Sequence, residues 1–225
     1  MARTVNQEEY AAKRHKILNV VEQLIITKGY EQMSIQDILD LLQISRGALF
    51  HYYGSKHELL EALIEQMLED LEMLLIPIVS DPNLSAINKL QRFFDTVVQR
   101  KTEQKPLLFS LLHTWYSDSN ALVREKIRMA KAQRFTPLLT KIIHQGLEEG
   151  VVATPYPGHI SEAIFFLIFD FSETFSRLLL SATPEDLLRV ENSVAMYTDA
   201  IERILGIPSQ SLHLIDAEAL KEWMS

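Results

Sequence analysis

The side chains best suited to grip a nucleic acid gather in one short stretch of this 225-residue chain: Ser45-Arg46-Gly47-Ala48, then Phe50, His51, Tyr52 and Tyr53, then Lys56. Ser45 suits the cap of a short helix. The free N–H groups of a helix N-terminus favour a phosphate, and the serine hydroxyl adds a donor. Arg46 follows, where a long side chain reaches into a major groove, and arginine is the usual bidentate reader of guanine O6 and N7. Gly47 and Ala48 are small and let backbone approach a groove wall. A tyrosine hydroxyl and a lysine one to two turns further on, Tyr52 and Lys56, could grip flanking phosphates. The competing assignment for the aromatics is core packing. It is the better one for Leu49 and Tyr53, which should face the first helix; for Tyr52 and Lys56 the nucleic acid is the better one.

Other chemistries find little support. The seven histidines, His15, His51, His57, His113, His144, His159 and His213, include no pair at i, i+3 or i+4, and the chain has no cysteine. No glycine-rich phosphate loop and no nucleophile elbow appears. We therefore expect no enzyme, no cofactor and no metal site. A helical module that binds protein instead of DNA stays open as an alternative.

The sequence around Arg46, which must hold it in place, is helical in period. Ile17, Val20, Val21, Leu24 and Ile25 form one apolar stripe, and Gly29 ends that helix. Ser34 and Asp37 have the spacing of a capping box for a second helix carrying Ile35, Ile38, Leu41 and Leu42. Ser45 caps the third. The second and third helices have the lengths and spacing of a helix-turn-helix over about residues 34–53. Ser55 and Glu58 open a long helix to about Leu75. Pro77 and Ser80-Asp81-Pro82-Asn83 should break it. Further helices are expected from about Ser85 to Lys101 and from Pro106 to Tyr116. Another runs from an Asp118-Ser119-Asn120 cap to Glu149, kinked or divided at Pro137. After a loop over Gly150–Gly158 come helices at about 159–181 and 184–205, then a short one near 214–223. No run alternates with period two long enough for a strand.

Composition agrees with a globular helical protein: 47% hydrophobic, 23% charged, and 15 glycines and prolines together. The net charge of −8 opposes DNA binding until it is divided along the chain. Residues 1–60 carry seven basic and seven acidic residues, so the whole acidic excess lies beyond them. Charge beyond about 8 Å is screened at physiological salt, so a neutral head with placed cations can bind DNA under an acidic body. No secretory signal is recognisable. The most apolar run, 163–169, is interrupted by Asp170 and is far short of the about 20 residues that span a bilayer. The expected setting is cytoplasmic, with no membrane partner.

At Gly29-Tyr30, Ser34-Ile35, Asp37-Ile38, Ile44 to Tyr53, Ser55-Lys56 and Glu58-Leu59-Leu60 the sequence resembles the TetR-family DNA-binding domain, over about residues 12–60. The resemblance implies an all-α homodimer with a small DNA-binding head and a larger body that binds an inducer. It maps phosphate and base contacts onto Ser34, Gln36, Ser45, Arg46, Gly47, Phe50, His51, Tyr52 and Lys56. Two positions depart from the family pattern. Gln43 stands where the turn normally has glycine, at a cost of about 1 kcal/mol if that residue is left-handed, so the turn is expected to differ slightly. Phe50 stands where tyrosine is usual and loses one hydroxyl for phosphate.

The fold class expected is all-α: a three-helix head with a helix-turn-helix within 12–72, a long connecting helix, and a ligand-binding and dimerisation body over 76–225. The body matches no family pattern closely. Ile160, Ile164, Leu167, Phe171, Thr174 and Leu178 are spaced 4, 3, 4, 3, 4. Leu187, Val190, Val194, Tyr197, Ile201 and Ile204 are spaced 3, 4, 3, 4, 3. Doubled by a twofold axis, two such seams make a four-helix bundle. Ile164, Leu167, Phe171, Leu187, Val190, Val194, Tyr197, Ile201 and Ile204 are therefore the candidate dimer interface. The alternative is that both seams pack within one subunit. Five of the ten phenylalanines fall between Phe165 and Phe175. With Phe109, His113, Trp115, Tyr116, Phe135, Phe165, Phe169 and Arg177 as candidate contacts, a small apolar or aromatic effector is expected. The function expected is a regulator, a repressor released from a palindromic double-stranded operator by that effector. An activator without an effector is the second reading beside the interaction module.

Overall fold

The computed structural model describes residues 7–117, 120–154, 156–181 and 184–224, and of these the side chains of 113, 157, 158, 180, 181, 184–188, 217 and 224 are not described. The described residues form helices and connecting turns, with no strand among them. The chain divides into two compact units: residues up to Leu68 together with Pro106–Arg124, and Glu69–Lys105 together with Glu125–Ser225.

In the first unit α1 (Gln7–Lys28) buries Ile17, Leu18, Val21, Leu24 and Ile25, the expected stripe. Gly29 ends it with a left-handed φ of +83°. Helix α2 (Ile35–Leu42) opens with the capping box: Asp37 N–H donates to Ser34 Oγ, and Ser34 N–H donates to the Asp37 carboxylate at 2.9 Å. Lys28 adds an ion pair to Asp37 at 2.5 Å. That ammonium and the serine donors hold the Asp37 carboxyl down at about 2. Helix α3 (Arg46–Phe50) is capped by Ser45, which accepts from Ala48 N–H. Helix α4 (Lys56–Ser80) starts under Ser55, which accepts from Glu58 N–H at 3.0 Å. The Glu58 carboxylate reaches back to Gly54 N–H at 2.7 Å, one residue short of a reciprocal capping box. Leu49, Tyr53, Leu59, Leu60 and Leu63 are buried together with those α1 residues and Ile38. Each such burial contributes about 1.5–3 kcal/mol. Helix α6 (Lys105–Trp115) lies almost wholly in this unit.

The prolines depart from expectation. Helix α4 does not end near Leu75 but runs through Pro77 to Ser80. Helix α7 (Ala121–Glu148) runs through Pro137 as one helix rather than two. A helical proline strips the partner from the carbonyl four residues back. Here those carbonyls belong to Met73 and Gln133, both exposed, and both prolines are exposed as well. Bulk water can solvate such a carbonyl on the outer face of a helix.

The second unit is built on α5 (Ala86–Glu103), most of α7, α8 (Pro157–Ser181) and α9 (Pro184–Leu205). The buried Lys89 on α5 donates to Val79 O at 2.7 Å, placing a cation on the C-terminal carbonyls of α4. Helices α8 and α9 pack on each other along much of their length and bury Ile160, Ile164, Phe165, Val190, Tyr197 and Ile201. Gly206 (φ +66°) follows α9, and a Cβ there would stand 2.2 Å from Ala153 O. Beyond it, the buried Glu202 carboxylate accepts from Gln210 N–H at 3.1 Å and Leu212 N–H at 2.9 Å. Helix α10 (Ala217–Met224) is tied to α5: Trp223 Nε1–H donates to Thr102 Oγ1 at 2.8 Å. Among the described residues no helix is long and apolar enough to cross a membrane.

Candidate nucleic-acid interface

The helix-turn-helix is set by its turn. Gln43 takes φ 53° and ψ 43°, the left-handed region, and its N–H donates to Leu39 O. Ile44 N–H returns to the same carbonyl at 3.2 Å. Gln43 therefore takes the left-handed conformation for which glycine is usual. A non-glycine side chain held there costs about 1 kcal/mol.

The turn delivers α3 with its polar side outward. Ser34, Gln36, Ser45, Arg46, Gly47, Phe50 and His51 are all exposed, and Tyr52 and Lys56 are half-buried. Leu49 and Tyr53 are buried, as the core-packing assignment required. The guanidinium of Arg46 stands over the ring of Phe50, 5.3 Å from its centroid and one turn along α3. An apolar ring 40% exposed to solvent thus props the candidate base reader. Gln36 Nε2–H donates to Asp40 at 2.7 Å, along the outer face of α2. Lys56 lies over the Tyr30 ring at 4.5 Å and donates to Glu31 O at 3.1 Å, so its ammonium is aimed before any phosphate arrives.

Two further residues join this surface that the sequence reading did not select. Tyr10 lies against Tyr52 at 4.8 Å and against His51 at 5.9 Å between centroids. Arg14 Nε–H donates to Tyr53 Oη at 3.2 Å and stands 5.0 Å from the Tyr53 centroid. Burial pushes the Tyr53 phenol up while Arg14 opposes it, so the ring stays a neutral acceptor. The signal was available: Tyr10 and Arg14 stand at i, i+4 on α1, which begins at Gln7, ahead of the apolar stripe.

The candidate effector residues fall into both units. Phe109, Trp115 and Tyr116 lie on or just after α6 in the first, where Phe109 is exposed and the other two are half-buried; the side chain of His113 lies outside those described. Phe135, Phe165, Phe169 and Arg177 lie in the second. There Phe135 and Phe165 are buried, Phe169 is half-buried and Arg177 is exposed. Phe165 stacks on Phe169, with centroids 6.3 Å apart and planes 25° apart.

The candidate dimer residues also separate. Ile164, Val190, Tyr197 and Ile201 are buried within the single chain, where α8 meets α9. Leu167, Phe171 and Val194 are half-buried, Ile204 is exposed, and the side chain of Leu187 lies outside those described. Tyr197 Oη donates to Asp170 across the α8–α9 contact, and burial with that carboxylate raises the phenol's pKa.

Comparison with known proteins bears on the first unit most directly. Residues 17–63 match the bacterial regulatory proteins of the tetR family. An uncharacterized HTH-type transcriptional regulator in the lacX 3′ region of Lactococcus lactis subsp. lactis is 30% identical over 92 residues, 41% of this chain. This chain spans about half the length of that relative, 47%. The HTH-type transcriptional repressor DhaR of Mycobacterium sp. (strain GP1) is 22% identical over 141 residues, covering 62% of this chain and 69% of DhaR. Among solved structures, a TetR-family transcriptional regulator from Pectobacterium atrosepticum aligns with a TM-score of 0.63 at 20% identity. That alignment covers 92% of this chain and 100% of the other, and it shows that the fold is shared. The capped helix-turn-helix lies inside the matched residues, so the segment 17–63 carries a DNA-binding domain like that of the tetR family of bacterial regulatory proteins.

Proposed function

We propose that the protein is a sequence-specific DNA-binding repressor that acts as a homodimer and leaves a palindromic operator when a small effector binds. The observation that carries this reading is the outward side of α3. Arg46 is exposed and propped by Phe50, directly after a capped N-terminus whose next residue, Gly47, offers only backbone. Arginine so placed reads guanine edges, and the helix N-terminus with Lys56 and Tyr52 holds the phosphates. Repression is supported by the likeness to DhaR, a transcriptional repressor of Mycobacterium.

Palindromic sites imply a twofold dimer whose recognition helices enter successive major grooves about 34 Å apart. The stretches of α8 and α9 left for a partner are Leu167, Phe171 and Val194, with Phe166, Met196 and Ile204 exposed beside them. Helix α4 contributes Lys56–Leu68 to the first unit and Glu69–Ser80 to the second. An effector that fits the second unit in only one of two arrangements shifts the other through this shared helix by its differential affinity. Hundredfold release needs about 2.7 kcal/mol of coupling, within the usual range.

A gel shift on the DNA upstream of the protein's own coding region tests the reading. Binding should weaken steeply as salt rises. Retention of a partner protein without any DNA shift would favour a protein-interaction module instead.

A further inference from the structure

Two lysines from different helices meet one turn of α8 inside the second unit. Lys101 on α5 donates to Ser172 Oγ at 2.6 Å. Lys131 on α7 lies 5.6 Å from the ring centroid of Phe169. Both side chains are half-buried, although nothing prevents a surface lysine from extending fully into water. Lys131 acts on Lys101 as a like charge, and Glu173, in the same turn of α8, acts on both. The neighbouring Asp170 is bonded to Tyr197 on α9. Among the described residues, two ammonium groups thus face the α8 turn that carries Glu173, beside the Phe165–Phe169 stack.

Withdrawing like charges from water together is unfavourable unless a counter-charge joins them. Burial and Lys131 together push the Lys101 ammonium down to about 8, and burial lowers Lys131 as well. A cation pair at one end of an aromatic stack suits a ligand with an anionic head and an apolar body.

We propose that Lys101 and Lys131 form the receptor for the carboxylate of a small amphipathic effector whose apolar part lies along Phe165 and Phe169. Two lysines that already share the Glu173 carboxylate call for a singly charged head rather than a phosphate dianion. The inference rests on the reading of the second unit as the effector-binding one, and it replaces a purely apolar effector with an acidic one.

Calorimetric titration of the full chain with octanoate, octanol, octylamine and octyl phosphate tests it. Octanoate should bind about tenfold or more tightly than octanol, and octylamine should not bind. Lys101→Met and Lys131→Met should each lose about tenfold or more for octanoate while binding octanol as before, and Lys131→Arg should keep most of the affinity. In a Trp115→Phe background, octanoate should also change the emission of Trp223, which is bonded to Thr102 beside Lys101. Circular dichroism checks each variant's fold. Should a methionine variant not fold, the four ligands on the native chain decide alone. Octanol binding as tightly as octanoate, or octanoate binding untouched in both methionine variants, overturns the site. Tighter binding of octyl phosphate overturns the carboxylate. Operator release is read separately. Lysine-dependent octanoate binding without release upholds the site and counts against the regulator reading. Release by octanol alone, without octanoate binding, upholds regulation and overturns the site.

Discussion

At the scale of single residues, Arg46 and Lys56 should fail in different ways. Arg46 is exposed and stands over the Phe50 ring, a position from which it can read a base. Arg46→Ala should cost about 1–3 kcal/mol on the true operator and relax preference at one base pair in each half-site. Lys56→Ala should weaken every sequence alike and reduce the salt slope by about one. Titrations on matched and single-mismatch operators at two salt concentrations separate these outcomes, and unchanged discrimination by Arg46→Ala would end its assignment as reader. Lys101 makes a second residue-scale prediction. Its folded pKa is about 8 against an ordinary 10.5. Between those values the unfolded chain holds a proton the folded chain has released, so stability gains from this group as pH rises through the window. Below about 8 both states are protonated and the burial penalty is present in full. Lys101→Met should therefore be more stable than the native chain at pH 7, by a margin that shrinks by pH 9.5. Urea midpoints of both proteins at the two pH values measure this, and an equal margin at both would show that Lys131, Glu173 and Ser172 leave Lys101 ordinary.

At the scale of elements, the turn between α2 and α3 makes the sharpest claim. Gln43 is left-handed with a full side chain, so Gln43→Gly removes the strain and adds unfolded-state freedom. A net gain of about 0.5 kcal/mol is expected, with operator affinity unchanged. A loss of stability in denaturant titration would mean the glutamine side chain does more than fill the turn. The caps at Ser34 and Ser45 were legible because a cap is settled by residues three apart. So was the inward turn of Leu49 and Tyr53, which helical period dictates. The passage of α4 through Pro77 was not legible. Period and proline alone do not say that Met73, one turn back, is exposed. The seams of α8 and α9 were half-legible. Spacing says that Val190, Tyr197 and Ile201 share a face, but which neighbour covers that face is a tertiary fact. The meeting of Lys101, Lys131 and Glu173 draws on three helices, and no local pattern could show it.

At the scale of the whole molecule, assembly is best tested on side chains that the single chain leaves open. Ile201 is 1% exposed, so an aspartate there would test folding rather than pairing. Met196 and Ile204 on α9 are 54% and 36% exposed. A Met196→Asp, Ile204→Asp double variant should keep its helicity, run as a monomer in light scattering and lose operator binding with its α3 untouched. A fully competent dimer would move the interface elsewhere. The second unit has one more property, which follows from its stitching. Gln91 Nε2–H donates to His213 O and His213 N–H donates to Gln91 Oε1, 122 residues apart. Trp223 reaches Thr102 across 121 residues. Helix α5 therefore leaves the ribosome long before the helix that covers it. At about 5–20 residues per second, α5 waits about 6–24 s with its Trp223 contact unmade, while α1 to α3 already have their capping and core partners. Nascent-chain exposure, rather than the stability of the finished protein, should thus decide how well this chain survives synthesis at high temperature, and chaperones should meet it at α5.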